Sequence, residues 1–221
     1  MRRIFPIILA AALCLCACDK NWNVLYRGMM FGTMQNYEEM LGDDGCTYRF
    51  TNLKDLEVTL PPSGRIVAMF DVYRKIEGTE NHYEAEILNR WIPICNEPVM
   101  CDSDDDEAAL GDDPIGLADG WWSGGHLNLV LKLELREYTT VNHLVNLQIV
   151  PGEYEDTLHT VLRHNAAEDK VTEENSEFFS EQAVYACFPL EDKLPEQGSR
   201  VLEIKWFWDE EWHTTYAKIS K

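Results

Sequence analysis

The clearest chemistry in this sequence belongs to Cys18, which ends a short apolar segment close to the N-terminus. Two arginines precede an apolar run, residues 4–15, that is too short for a transmembrane helix of about 20 apolar residues. A basic start followed by such a run is typical of an export signal. The tetrapeptide LCAC, residues 15–18, resembles a lipobox, in which the last cysteine is acylated and becomes the mature N-terminus. We therefore predict a signal peptide over residues 1–17 and a diacylglycerol and acyl modification of Cys18.

The anchor hypothesis leaves alternatives. Cys16 is a poorer lipidation site, because Leu15 would precede the cleavage point where a small side chain is preferred. An ordinary cleaved signal with a free Cys18 is the other interpretation. Each buried CH₂ of an acyl chain contributes about 0.8 kcal/mol, so two or three chains give stable anchoring. Residues 18–25 then form a tether, and its start lacks an acidic cluster. We expect the outer membrane, with the periplasmic or surface face undetermined.

An acidic segment, CDSDDDEAALGDDPIG, is the second candidate site. Four carboxylates occupy the first, third, fifth and twelfth places of a calcium-binding loop: Asp102, Asp104, Asp106 and Asp113. The sixth place, where glycine makes the sharp turn, holds Glu107, and no flanking helix is indicated. We interpret residues 102–118 as a solvated acidic linker or loop, with weak calcium binding as the alternative.

Two adjacent tryptophans, Trp121 and Trp122, are the candidates for ligand binding. Neighbouring side chains of a strand point to opposite faces, so one of these rings could be exposed and bind a sugar or a peptide. Trp206 and Trp208 alternate with apolar residues on one strand face, and we expect them in the core.

Motifs of catalysis are missing from the sequence: there is no P-loop, dinucleotide fingerprint, nucleophile elbow or zinc-protease helix. Ser123 and His126 in SGGH enter a strand, where the glycines provide a turn. His159 and His164 fall on opposite faces of a strand, so they do not readily share a metal ion. We assign a hairpin turn to four polar residues, Arg163, His164, Asn165 and Asp169. We predict a protein that is not an enzyme, with no catalytic residue and no cofactor.

The formal net charge of −20 excludes the usual electrostatics of nucleic-acid binding, since such a field repels phosphates. It also disfavours docking on anionic lipid, so the predicted lipid alone would hold the protein at a membrane. Four cysteines follow Cys18 and allow three disulfide connectivities: Cys46, Cys95, Cys101 and Cys187. The nearest two in sequence, Cys95 and Cys101, could close a small loop, and free thiols are the alternative.

Short alternating runs predict strands throughout the chain. In GRIVAMFDVY, Ile66, Ala68 and Phe70 share one face, and in HLNLVLKLELRE a leucine recurs at every second position. The pair VLEIKWFW and WHTTYAKI, joined by DEE, predicts a C-terminal hairpin. SEFFSEQA is the only helix candidate, and this short stretch could equally be irregular. We predict an all-β fold, with a small barrel over residues 26–101, the acidic linker, and a β-sandwich over residues 119–221.

Four stretches in order carry a family resemblance: GRIVAMFDVY, ADGWWSGGHLNLVLKL, VNHLVNLQIV and DTLHTVLRHNAAED. Together they resemble the NigD-like lipoproteins. The resemblance implies an N-terminal OB-fold domain and a C-terminal β-sandwich behind a lipobox. The chain departs from the family pattern at His126, where an aromatic residue is usual, and in a longer acidic linker.

The family name comes from a bacteriocin operon, in which the founding member of the family was proposed to act in immunity. The resemblance therefore implies a cell-envelope lipoprotein without defined activity. We expect a non-enzymatic protein that binds a protein or peptide partner and contacts the membrane through its lipid. The alternative is a surface lipoprotein that binds carbohydrate.

Overall fold

The computed structural model describes residues 24–136, 141–152, 154 and 156–220. Strands dominate this part of the chain and form a closed five-stranded barrel and two four-stranded sheets. The predicted all-β class, with a small barrel followed by a sandwich, is confirmed. The predicted signal peptide, Cys18 and most of the tether lie outside the described residues. No helix in the described ranges is long and apolar enough to cross a membrane.

Five strands form the barrel: β1 (Tyr26–Met34), β2 (Glu39–Gly42), β3 (Thr47–Phe50), β4 (Gly64–Lys75) and β5 (His82–Trp91). They close in the order β1-β2-β3-β5-β4, with β3 and β5 parallel and the other pairs antiparallel. The alternation of β4 places Ile66, Ala68 and Phe70 in the barrel core, as predicted. Val67 on the opposite face is also buried, because it shares an apolar cluster with Cys187 of the sandwich.

The sandwich consists of two sheets. One has the order β6-β11-β8-β7 and contains β6 (Ile94–Cys95), β7 (Gly116–Ser123), β8 (His126–Arg136) and β11 (Phe179–Pro189). The other has the order β13-β12-β10-β9 and contains β9 (Leu144–Val150), β10 (Thr157–Asn165), β12 (Arg200–Trp208) and β13 (Glu211–Ile219).

The leucine alternation of β8 builds the sandwich core. Leu127, Leu129, Leu131 and Leu133 are each at most 2% exposed and share one apolar cluster with residues of the facing sheet, such as Leu147. Burial of one such side chain contributes about 1.5–3 kcal/mol, so this strand is held by its inward face.

Two hairpins close on two-residue turns with left-handed backbone. Gly124 and Gly125 join β7 to β8 with φ of 57° and 75°. Asp209 and Glu210 join β12 to β13 with φ of 51° and 64°. Positive φ at both central residues is the type I′ geometry that matches strand twist. The predicted turn at SGGH and the C-terminal hairpin are therefore confirmed.

The acidic segment differs from the prediction of a linker. Ser103 caps a helix, α1 (Asp104–Leu110), by accepting a hydrogen bond from the amide of Asp106 at 3.2 Å. Four acidic residues fill its first turn, where negative charge stabilises the helix dipole. The barrel also ends earlier than the predicted residue 101, because β6 pairs with β11 and therefore belongs to the sandwich.

The helix candidate SEFFSEQA does not form an α-helix. Residues Ser176–Phe178 form one 3-10 turn, and the remainder enters β11, which pairs with β8 along its whole length. The long ladder with β8 overrides a weak local preference for helix, as tertiary context often does.

Candidate functional site

A cleft of about 320 Å³ lies between β7 and β13, the end strands of the two sheets. Thirteen residues line it: Leu117, Ala118, Asp119, Gly120, Trp121, Trp122, Leu127, Ile204, Trp206, Thr215, Tyr216, Ala217 and Ile219. In the described part of the chain, no strand pairs with the outer edge of either end strand. The cleft therefore has two sheet edges as its walls.

Hydrogen bonds hold the two sheets together on either side of this opening. Trp122 Nε1 donates to the carbonyl of Ser220 at 2.8 Å, and the amide of Ile115 donates to the carbonyl of Phe207 at 2.8 Å. Ala118 is an extra residue in β7, because Leu117 pairs with Leu131 of β8 and Asp119 pairs with the adjacent Val130. Such a bulge bends the edge strand locally, and regular pairing resumes at Asp119 and continues to Ser123.

Four aromatic residues line the cleft beside its aliphatic side chains. Trp206 packs against the sandwich core and stacks on His213 with ring centroids 5.4 Å apart. Tyr216 is 64% exposed, and Asp119 is an exposed carboxylate on the opposite wall. The cleft can therefore hold apolar groups and offer backbone hydrogen bonds, and its lining includes no histidine, cysteine or lysine.

Both candidate tryptophans line the cleft, and each also has a structural role. Trp121 packs edge-on against Phe31 of the barrel with centroids 5.1 Å apart. Trp122 packs against the sandwich core. They point to different sides, as alternation requires, and both are half-buried. Trp206, which the sequence places in the core, does pack there and is also a cleft residue.

The barrel meets the sandwich through a buried polar network. Arg65 donates to both carboxylate oxygens of Asp43, from Nη1 at 2.6 Å and from Nη2 at 2.7 Å. Its Nη2 also donates to Asn128 Oδ1 at 2.8 Å, and Ser123 Oγ donates to Asp43 Oδ2 at 2.5 Å. Ser123 is therefore bonded to a carboxylate of the barrel, while His126 Nδ1 contacts the carbonyl of Gly124 at 2.6 Å. The two do not form a nucleophile–base pair.

The four calcium-loop candidates are not brought together around one point. Asp104 and Asp106 are part of α1, and Asp102 precedes it. Asp113 accepts from Lys170 Nζ at 2.7 Å and from the amide of Ala166 at 2.8 Å. Within the described ranges, no group of three or more acidic, histidine or cysteine side chains could hold a metal ion.

Arg163 joins the acidic segment to the sandwich. Its guanidinium forms ion pairs with Glu107 of α1 and with Asp112, and Nε donates to Gln148 Oε1 at 2.7 Å. The assignment of Arg163 to a hairpin turn is thus wrong, because the side chain crosses to β9 and α1. Asn165 does act in the turn, accepting from the amide of Ala167 at 2.8 Å.

A second buried polar cluster stacks His143 on His164. His164 Nδ1 donates to the carbonyl of Pro114 at 2.8 Å, and its Nε2 lies 2.9 Å from His143 Nδ1. His143 Nε2 lies 3.4 Å from Asp169. Burial lowers the pKa of His164 below its ordinary value. His159 instead contacts Glu203 at 3.1 Å, so His159 and His164 have different partners, as their alternation in the strand predicts. All four ring nitrogens of the stacked pair face polar partners, which indicates a structural role.

The barrel has a separate cavity of about 400 Å³. Its lining is largely apolar, and its polar contacts centre on Asp44, which accepts from the Tyr48 hydroxyl at 2.5 Å and from the amide of Cys46 at 2.9 Å. Burial, followed by the hydrogen bond to Asp44, raises the pKa of Tyr48 above its ordinary value. The cavity is larger than the cleft, but it has no strand edge as a wall. We therefore take the cleft as the candidate site.

Comparison with known structures finds the same architecture in proteins of low sequence identity. A protein of unknown function from Bacteroides vulgatus aligns with a TM-score of 0.65 at 16% identity, covering 88% of this chain and 90% of the other. A NigD-like immunity protein from Bacteroides caccae gives 0.64 at 15% identity, covering 86% and 92%. A candidate lipoprotein from Bacteroides fragilis gives 0.59 at 11% identity, covering 88% and 97%.

Comparison with curated proteins finds no match. A family model described as the NigD-like C-terminal beta sandwich domain matches residues 97–219. The match begins just after β6 and ends at the last residue of β13, so it covers nearly all of the sandwich and more than half of the chain. The chain therefore belongs to the NigD-like family.

Proposed function

We propose that this protein is a non-enzymatic, lipid-anchored binding protein of the bacterial cell envelope, and that the cleft between β7 and β13 receives a segment of a partner protein. The observation that carries this proposal is the meeting of two sheet edges across an apolar, aromatic opening. End strands present backbone N–H and C=O groups, and an extended peptide that adds to such an edge satisfies them.

The chemistry of the cleft favours binding over catalysis. Its one carboxylate, Asp119, is exposed, and the buried histidine pair lies in a different part of the sandwich. Trp206 and Tyr216 offer the kind of large, weakly hydrated surface that dominates protein–protein contacts. A neighbouring fold named a NigD-like immunity protein also supports a non-enzymatic role.

Charge indicates what kind of partner would associate fastest. The chain carries a formal net charge of −20, so its field attracts a basic partner. We expect the association rate to fall as salt rises, while the dissociation rate changes less, because long-range steering acts on encounter.

The anchor belongs to this proposal as well. Six peptide units separate Cys18 from Val24, the first described residue, and an extended chain spans about 3.5 Å per residue. An acylated Cys18 would therefore hold the barrel within roughly 20 Å of the lipid headgroups. A neighbouring fold named as a lipoprotein supports this arrangement, and we propose the outer membrane as the location.

Site-specific photo-crosslinking in intact cells tests the cleft. A photoreactive residue replaces Asp119 or Ala217, which lie on opposite walls and are both exposed. The matched control replaces Gln182, an exposed residue of β11 away from the cleft. We expect one partner protein to crosslink from both walls and not from Gln182. The proposal fails if the control position captures the same protein as efficiently.

Carbohydrate is the alternative ligand, favoured by the exposed ring of Tyr216 beside Trp122 and Trp206. Titration with glycans would then quench tryptophan fluorescence, and the Trp122→Ala variant would lose that signal. A saturable glycan signal in the wild type, together with an absence of crosslinked protein, would replace the peptide proposal with this one.

A further inference from the structure

Two thiols that lie far apart in sequence face each other where the barrel meets the sandwich. In the parallel pairing of β6 with β11, Cys95 and Cys187 are register partners. Facing residues of adjacent strands point to the same side of a sheet, and adjacent strands lie about 4.8 Å apart. Disulfides span Cα separations of about 4.4–6.8 Å, so this register suits a bond between the two sulfur atoms. Both cysteines are free thiols in this structure.

We propose that Cys95 and Cys187 form a redox pair that closes to a disulfide between β6 and β11. The bond would tie the segment that leaves the barrel to the central ladder of the sandwich. Only residues 92–93 separate β5 from β6, so the pair sits directly at the crossing between the two units. The proposal goes beyond the binding function and does not depend on it.

The surroundings of the pair differ for the two sulfur atoms. Cys95 is exposed, whereas Cys187 is fully buried and packs with Phe31 and Val67 of the barrel. Arg65 lies beside the pair, close enough for its charge to act on both sulfur atoms. Its Nε is buried and takes no part in the hydrogen bonds to Asp43 and Asn128, which come from Nη1 and Nη2.

These surroundings make Cys95 the attacking thiol. The hydrogen bond from Cys187, assisted by the charge of Arg65, lowers the pKa of Cys95 to about 7. The same hydrogen bond, together with burial, raises the pKa of Cys187. Burial also raises the pKa of Cys46 and of Cys101. Thiolates, not thiols, attack disulfides, so Cys95 reacts first among the four.

The oxidant is a disulfide of the compartment, such as oxidised glutathione or a thiol oxidoreductase. The Cys95 thiolate attacks one sulfur of that disulfide, forming a mixed disulfide and releasing one thiolate, which takes up a proton. Cys187 then loses its proton and attacks Cys95 Sγ, which releases the second thiol of the oxidant. Two electrons and two protons pass from the protein to the oxidant, and one S–S bond replaces two S–H bonds.

Peptide mapping of the purified full chain tests the pair. The reduced protein is equilibrated with glutathione mixtures from fully reduced to fully oxidised, trapped with N-ethylmaleimide, and digested without reduction. We expect oxidation to link the peptides of Cys95 and Cys187 and dithiothreitol to separate them. Cys46 and Cys101 should remain alkylated. The bond closes a loop of roughly 90 residues, so it should raise Tm by on the order of 10 °C.

Two variants sharpen the test. A chain with Cys46→Ser and Cys101→Ser should form the same link, because neither residue takes part. The Cys187→Ala variant should accumulate a mixed disulfide of glutathione on Cys95. The proposal is overturned if Cys95 links to Cys101 or Cys46. It is also overturned if N-ethylmaleimide alkylates both Cys95 and Cys187 of the wild type after equilibration with oxidised glutathione alone. The peptide map of the wild-type chain tests the proposal even if the Cys187→Ala chain does not fold.

Discussion

The buried ion pair between Arg65 and Asp43 gives the most quantitative prediction. The Arg65 side chain is 4% exposed and that of Asp43 is 9% exposed. In an Arg65→Ala chain, Asp43 would keep the hydroxyl of Ser123 but lose both guanidinium hydrogen bonds. Removing one partner of a buried ion pair typically costs about 3–5 kcal/mol, because the remaining charge stays buried. At about 2–4 °C per kcal/mol for a chain of this size, Tm should fall by about 10 °C.

The matched control is the exposed pair of Arg49 and Glu39. Their side chains are 49% and 26% exposed, and Arg49 Nε lies 2.9 Å from Glu39 Oε1. Exposed pairs contribute about 0–1 kcal/mol, so Arg49→Ala should shift Tm by no more than a few degrees. Urea unfolding followed by circular dichroism provides the free energies for both variants.

A second variant separates the buried charge from the lost packing. Adding Asp43→Asn to the Arg65→Met chain removes the orphaned carboxylate, so the double variant should be more stable than Arg65→Met alone. The reasoning is refuted if Arg65→Ala costs no more than Arg49→Ala. It is also refuted if neutralising Asp43 in the Arg65→Met background gives no recovery.

Three further predictions concern the sandwich. Leu129→Ala should cost about 2–5 kcal/mol in urea unfolding, whereas Val130→Ala on the outer face should cost clearly less; equal costs would contradict the core assignment. Because burial lowers the pKa of His164 in the folded state, its contribution to stability is present above the unfolded value of about 6.5 and is lost as pH falls below it. His164→Gln should therefore flatten the decline of the urea midpoint between pH 7.5 and 5, and an unchanged slope would argue against this. Calcium at about 1 mM should leave Tm unchanged, since its predicted ligands lie apart; a rise of several degrees would restore the calcium site.

Periodicity within single strands was sufficient to predict the all-β class. The alternating leucines of β8 and the two runs around DEE specify strands locally, because their buried faces follow from sequence order alone. The helix at Asp104–Leu110 was also readable from the sequence. Ser103 followed three residues later by the acidic residue Asp106 is a capping signal.

The remaining features depend on contacts between distant segments. Arg65 lies on the outer face of β4, and only the packing of the sandwich against that face buries it. The cleft brings residues 117–122 beside residues 215–219, and the pairing of Cys95 with Cys187 follows from the position of β6 beside β11. No local pattern encodes such neighbours, so the sequence indicated the candidate tryptophans but not the cleft that they line.

The premise of the proposed envelope function is the acyl anchor at Cys18, and mass spectrometry of the mature N-terminal peptide tests it most directly. The protein is purified from the membrane fraction of its bacterial host, and a Cys18→Ala chain is processed in parallel. We expect the mature chain to begin at Cys18 with two or three acyl chains attached, and the Cys18→Ala chain to leave the membrane fraction. A mature N-terminus elsewhere, or an unmodified Cys18 in a chain that still fractionates with membranes, would contradict this expectation.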